Sequence, residues 1–130
     1  MSERFVLDAS ALLCLLKSEQ GADRVLSVLP RAMISAVNLS EVYSKLVDAG
    51  GSESQISQAI DGLHLRVEAF DDAQARRTGM LRPLTKSLGL SFSDRACLAL
   101  ALHREATAVT TDRAWADLPE TVGASVELIR

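Results

Sequence analysis

A chain of 130 residues is the size of one domain and can bury roughly two-thirds of the surface it exposes unfolded, so it needs no disulfide or structural metal to stay folded. Hydrophobic residues at 48% and charged residues at 24% form a globular balance and exclude a disordered chain. A net charge of -3 excludes a protein that coats nucleic acid nonspecifically. It does not exclude an enzyme acting on nucleic acid, because carboxylates that bind divalent cations make a chain acidic while the ions reverse the local sign.

The chain reads as strands alternating with helices over a single domain, residues 1–130. Arg4-Phe5-Val6-Leu7 is short and apolar and stops at Asp8, as a buried strand does. Ser10 follows and is placed to cap a helix over Ala11–Leu16. Ala22, Val25, Leu26 and Leu29 form a helical stripe that Pro30 ends, and Ala32–Val37 reads as a second strand. Asn38–Ala49 is helical and ends at Gly50-Gly51, and Ser52–Leu63 is a further helix. Leu65–Phe70 alternates apolar and polar as a third strand. Asp71–Leu88 is helical with a break near Pro83, and Ser91 starts a helix that runs to about Glu105. Ala108–Thr111 is a fourth strand and Ser125–Ile129 a fifth. This alternation implies an α/β/α sandwich, a central parallel sheet of four to five strands with helices on both faces.

Cys14 and Cys97 lie far apart in apolar runs, with no paired cysteines and no His cluster, and read as buried reduced thiols rather than zinc ligands. The start, Glu3-Arg4-Phe5-Val6-Leu7, is charged and strand-like where a signal peptide has an apolar stretch. No apolar run approaches the roughly 20 residues that span a bilayer. A cytoplasmic protein with no membrane partner is the expectation.

In open parallel sheets, sites form beyond the carboxyl ends of the strands. Asp8 ends the first strand and Asp112 the fourth, which puts both on that rim. Glu41 and Asp94 each fall in the first turn of a helix that begins near it. Each has a structural alternative. Asn38-Leu39-Ser40-Glu41 and Ser91-Phe92-Ser93-Asp94 both fit capping boxes, and Asp8 and Asp112 fit turn positions. Four acids converging on one rim repel unless a cation sits among them, and donors without His or Cys favour magnesium or manganese over zinc.

Four segments in this order resemble one family: Val6-Leu7-Asp8-Ala9-Ser10-Ala11-Leu12, Asn38-Leu39-Ser40-Glu41-Val42, Gly89 to Ala101, and Val109-Thr110-Thr111-Asp112-Arg113-Ala114-Trp115. They resemble the PIN domain, and among PIN domains the VapC toxins of bacterial toxin–antitoxin pairs. The resemblance implies a magnesium-dependent endoribonuclease that leaves a 5′-phosphate and a 3′-hydroxyl on its RNA. It also implies a homodimer, inhibition by a small antitoxin partner, and Asp8, Glu41, Asp94 and Asp112 as catalytic metal ligands. Some relatives carry another acid close after the last Asp; here Arg113-Ala114-Trp115 intervene and Asp117 is the next acid.

Ser10 and Thr110 are hydroxyls placed to orient Asp8 and Asp112, or to act as a helix cap and a strand end. Arg95 and Arg113 flank two of the acids and could meet an RNA phosphate or neutralise the carboxylates. Trp115 is expected to pack against the sheet rather than stack on a base, and His64 and His103 to be solvated helix-end residues. Leu12, Leu13, Leu16, Val42, Leu46 and Val47 offer a dimer or antitoxin surface. Two other classes fit less well. A signalling receiver needs adjacent acids after its first strand, whereas Asp71-Asp72 follows the third. A non-catalytic partner-binding scaffold has no use for the acid quartet. A PIN nuclease that processes RNA without a toxin role remains open.

Overall fold

The computed structural model describes residues 3–130. Its centre is a five-stranded, wholly parallel sheet in the order β3-β2-β1-β4-β5. The strands are β1 (Phe5–Leu7), β2 (Ala32–Ser35), β3 (Arg66–Glu68), β4 (Thr107–Thr110) and β5 (Ser125–Leu128). The helices are α1 (Ala9–Leu16), α2 (Ala22–Val28), α3 (Ala36–Asp48), α4 (Glu53–Asp61), α5 (Asp72–Met80), α6 (Arg82–Thr85) and α7 (Phe92–Arg104). This is the α/β/α arrangement expected from the alternation, with the fifth strand present.

The central strand explains the layering. In β1, Phe5 and Leu7 face one side of the sheet and Val6 the other, because side chains alternate along a strand. Phe5 and Leu7 pack with Ala11, Val25 and Val28 of α1 and α2. Val6 packs with Met33, Ala108 and the buried face of α7 from Cys97 to Ala101. With both faces covered, β1 has no room for a polar residue, and Phe5, Val6 and Leu7 are all fully buried. Ile34 on β2 joins Leu12, Val42, Ile56 and Ile60, which fixes α3 and α4 beside α1.

The long helix expected over Asp71–Leu88 is broken where proline requires it. α5 stops at Met80, α6 opens with Pro83 in its first turn, and a 3-10 turn over Lys86–Leu88 leads to Gly89 at φ 69°. A left-handed residue there is what glycine tolerates without strain. Trp115 is 1% exposed in the core against α7, as expected. Cys14 and Cys97 are both free and buried.

The expected dimer surface loses most of its material. Leu12, Leu13 and Val42 are in the core of the single chain, while Leu16 and Leu46 are partly covered and Val47 is 52% exposed. Leucines at helical spacing next to a strand fill the α1–α3 seam first, and only the outermost of them are left for a second chain.

Candidate functional site

The four acids stand on one rim of the sheet, at the carboxyl ends of its strands, each held by a different local device. Asp8 directly follows β1. Its backbone is extended and its carboxylate caps α1, with Oδ1 accepting the Ala11 N–H at 2.8 Å. Asp8, not Ser10, is therefore the cap: the helix opens one residue after the strand, so Ser10 already lies in its first turn. From there the Ser10 hydroxyl donates to Asp8 Oδ1 at 2.6 Å and accepts the Thr111 N–H at 3.0 Å. Thr110, at the end of the neighbouring β4, donates to Asp8 Oδ2 at 2.5 Å and accepts the Asp112 N–H at 3.0 Å. Two hydroxyls thus fix both oxygens of Asp8 and link it to the turn that carries Asp112.

Glu41 sits differently from expectation. β2 ends at Ser35, whose side chain caps α3 by accepting the Val37 N–H at 3.2 Å, so Asn38–Glu41 is not a capping box. Ser35 wins because it ends the buried strand directly before the helix and has a side-chain oxygen to offer the free amides. Glu41 consequently lies in the second turn of α3, too far along to answer them. It is half-buried, with Oε1 accepting from the Ser93 hydroxyl at 2.5 Å and Oε2 within 3.1 Å of Lys45 Nζ.

Asp94 does form the capping box its sequence suggests. Its N–H donates to Ser91 Oγ at 3.2 Å, and its Oδ2 accepts the Ser91 N–H at 2.9 Å. Asp112 lies two residues beyond β4, is exposed, and caps the 3-10 turn Arg113–Asp117 through the Ala114 N–H at 3.0 Å. Asp117 ends that same turn, exposed.

Electrostatics tie the acids together. Burial pushes the Asp8 carboxyl up from the ordinary value of 3.8 to about 6, against the pull of Ser10, Thr110 and the Ala11 amide, and the charge of Asp94 adds to the rise. Asp94 is also raised, chiefly by burial and further by Asp112 and Glu41. The Cys97 thiol behind the rim is pushed far up by its burial and by Asp8 and Asp94. Among the described residues, Lys45 on Glu41 is the one ion pair to this set. The four do not form a closed cage: among the described residues, no three acidic, His or Cys side chains converge closely enough to hold an ion by themselves.

Two residues of this site were not singled out from the sequence. Asn38 is 1% exposed, and its Nδ2 donates to the Ser93 carbonyl at 2.9 Å, pinning the start of α7 to α3. Ser93 hands that restraint on to Glu41. A buried asparagine has no sequence signal beyond its polarity within a helix. The arginines separate: Arg95 donates to the Thr78 carbonyl of α5 at 3.0 Å, whereas Arg113 is exposed beside Asp112.

The family model of the PIN domain matches residues 5–120, which spans β1 through the turn after Asp112. The chain belongs to the PIN domain family. Solved structures agree with the PIN fold along nearly the whole chain. VapBC2 of Rickettsia felis bound to a promoter DNA fragment superposes with a TM-score of 0.74 at 19% identity, covering 95% of this chain and 97% of that one. A toxin–antitoxin complex from Klebsiella pneumoniae gives 0.73 at 20% identity, covering 99% and 98%. VapBC-5 of Mycobacterium tuberculosis gives 0.64 at 24% identity, covering 99% of both chains. No curated protein matches the chain in sequence. Within this PIN domain no helix is long and apolar enough to cross a membrane among the described residues.

Proposed function

We propose that this PIN domain is a metal-dependent endoribonuclease, with Asp8, Glu41, Asp94 and Asp112 as the ligands of a magnesium ion or of manganese in its place. The observation that carries the reading is Asp8. Its carboxyl group is 3% exposed, has no cationic partner among the described residues, and is raised to about 6. Capping α1 does not require this: serine or asparagine would satisfy the Ala11 amide without burying a charge. A buried acid beside a second raised acid is unfavourable until a cation offsets both. The donors are all oxygen, which fits a hard ion. The lack of a closed cage fits magnesium, which keeps several of its waters and needs only one or two carboxylates directly.

When bound, the ion supplies Lewis acidity, acidifying water for in-line attack and offsetting charge on the phosphate. The chain's own residues set the geometry. Ser10 and Thr110 aim the two oxygens of Asp8, and Ser93 and Ser91 do the same for Glu41 and Asp94. Lys45 offsets Glu41 in the absence of metal and is free to swing away, since its side chain is 55% exposed. Arg113 is placed to meet a phosphate of the RNA. Arg95, on α7, serves the same end only from its anchored position against α5.

The toxin–antitoxin context of similar solved structures supports a cytoplasmic toxin with a small antitoxin partner. That partner would cover the acidic rim and offer it a cation. A homodimer completes the reading. The test is direct: purified protein should cut RNA with magnesium or manganese and stop with a chelator. Undiminished cutting in chelator refutes the metal reading. Co-purification from the native operon then separates a toxin, which brings a small partner, from an RNA-processing nuclease, which does not.

A further inference from the structure

The rim carries an aromatic feature that the acid site does not use. Phe92 is the first residue of α7, two before Asp94 and next to Ser93, whose hydroxyl holds Glu41. Its side chain is 51% exposed. Phe70, two residues beyond β3, supports it with ring centroids 5.6 Å apart and an interplanar angle of 86°. In an edge-to-face pair only one ring gives up a face, so Phe92 keeps at least one broad face clear of Phe70. Arg95 follows at i+3 and shares that side of the helix. Its bond to the Thr78 carbonyl fixes it toward α5, and its Nε is buried without a partner among the described residues.

We propose that Phe92, propped by Phe70, is a stacking platform for an unpaired base of the RNA beside the bond that is cut. This rests on the nuclease reading above. The sheet order supports the occupant. Asp112 follows β4, Asp8 follows β1, Glu41 and Asp94 flank the end of β2, and the Phe70–Phe92 pair follows β3. A strand laid across the carboxylates in the direction of β3 therefore heads toward the ring. The ring's neighbours are an anchored arginine and acids that need a counter-ion, which suits a flat base carrying its own phosphate better than an apolar protein segment. Stacking uses the π-face that every base has, so the platform selects single-stranded RNA without selecting a sequence.

The test compares wild type, Phe92→Ala, Phe92→Leu and Phe92→Trp in magnesium, on a fluorescein-labelled, mixed-sequence single-stranded RNA, with a melting curve for each variant. Phe92→Ala should raise KM roughly 5- to 150-fold with kcat little changed, the range that losing one base stack gives. Phe92→Leu should fall with Ala and Phe92→Trp should match wild type, because a π-face rather than apolar area is required. An Ala or Leu variant that keeps the wild-type KM overturns the platform while leaving the nuclease reading intact. A wild type that cuts no RNA overturns both. A Phe92→Ala variant that keeps its RNA KM but loses a co-purifying small protein reassigns the ring to partner docking.

Discussion

Asn38 Nδ2 donates to the backbone carbonyl of Ser93 at 2.9 Å, and through that bond the start of α7 is locked to α3. The two helices carry Asp94 and Glu41, which approach the rim from different stretches of chain. The Ser93 hydroxyl on Glu41 repeats the link with a side chain. Relative placement of the two acids thus depends on a residue that carries no charge. Replacing Asn38 by Ala should lower stability by about 1–3 kcal/mol, the usual loss when a buried carbonyl is left without its donor. Cleavage should fall further than the lost folded fraction explains. Denaturant melts beside rate measurements at fixed folded protein check this, and a mutant of undiminished rate would show that the link is structural only.

Asp8 sets a pH dependence whose sign follows from its raised pKa. The folded chain holds its proton up to about pH 6, whereas the unfolded chain releases it near 3.8. The favourable contribution of protonated Asp8 is complete below about pH 4 and is lost as pH rises through about 6. Asp8→Asn removes the penalty, so the metal-free mutant should gain on wild type by about 1–3 kcal/mol between those limits. Melting curves from pH 4 to about 7 in chelator measure the gap. A constant gap would mean that Asp8 is not held protonated. Magnesium should reverse the trend in wild type, since it binds the ionised form.

Asp94→Asn should abolish cleavage and leave the capping box standing, because the amide oxygen can still accept the Ser91 N–H. Relief of repulsion from Asp112 and Glu41 should raise metal-free stability by up to about 1 kcal/mol in this partly solvated cleft. Magnesium should then stabilise the mutant less than wild type. A mutant that still cuts RNA and melts lower in chelator would remove Asp94 from the site.

Trp115 is buried against α7 and its indole N–H has no partner among the described residues. Trp115→Ala should destabilise by about 3–5 kcal/mol through the cavity it leaves. KM for RNA, measured on the folded fraction, should stay near wild type. A selective rise in KM would bring the indole back as a base contact.

The oligomer can be tested at the surviving apolar patch. Light scattering should give a mass twice 14.0 kDa, and Val47→Asp should shift it toward one chain. A dimer that ignores the mutation lies elsewhere, and a monomeric wild type removes the dimer altogether.

Element types, their order and the four acidic positions were legible along the chain because they rest on local physics. An apolar run stopped by Asp8, a proline at 83 and the Ser91–Asp94 spacing each act within a few residues. The start of α3 was misread because Ala36 and Val37 looked like a continuation of the strand. What ends β2 there is the sheet's edge, which the local pattern does not contain. The leucines of α1 were legible as apolar, but not as buried by α3. Only tertiary structure decided which hydroxyls aim Asp8, since Thr110 is 102 residues away and meets it through β1–β4 pairing. The Asn38–Ser93 bond and the Phe70–Phe92 pair arise the same way, from segments far apart in the chain that are set against one sheet, in which β4 lies beside β1. Burial is the main cause that raises the pKa of Asp8, and burial is a property of the packed core rather than of the residue.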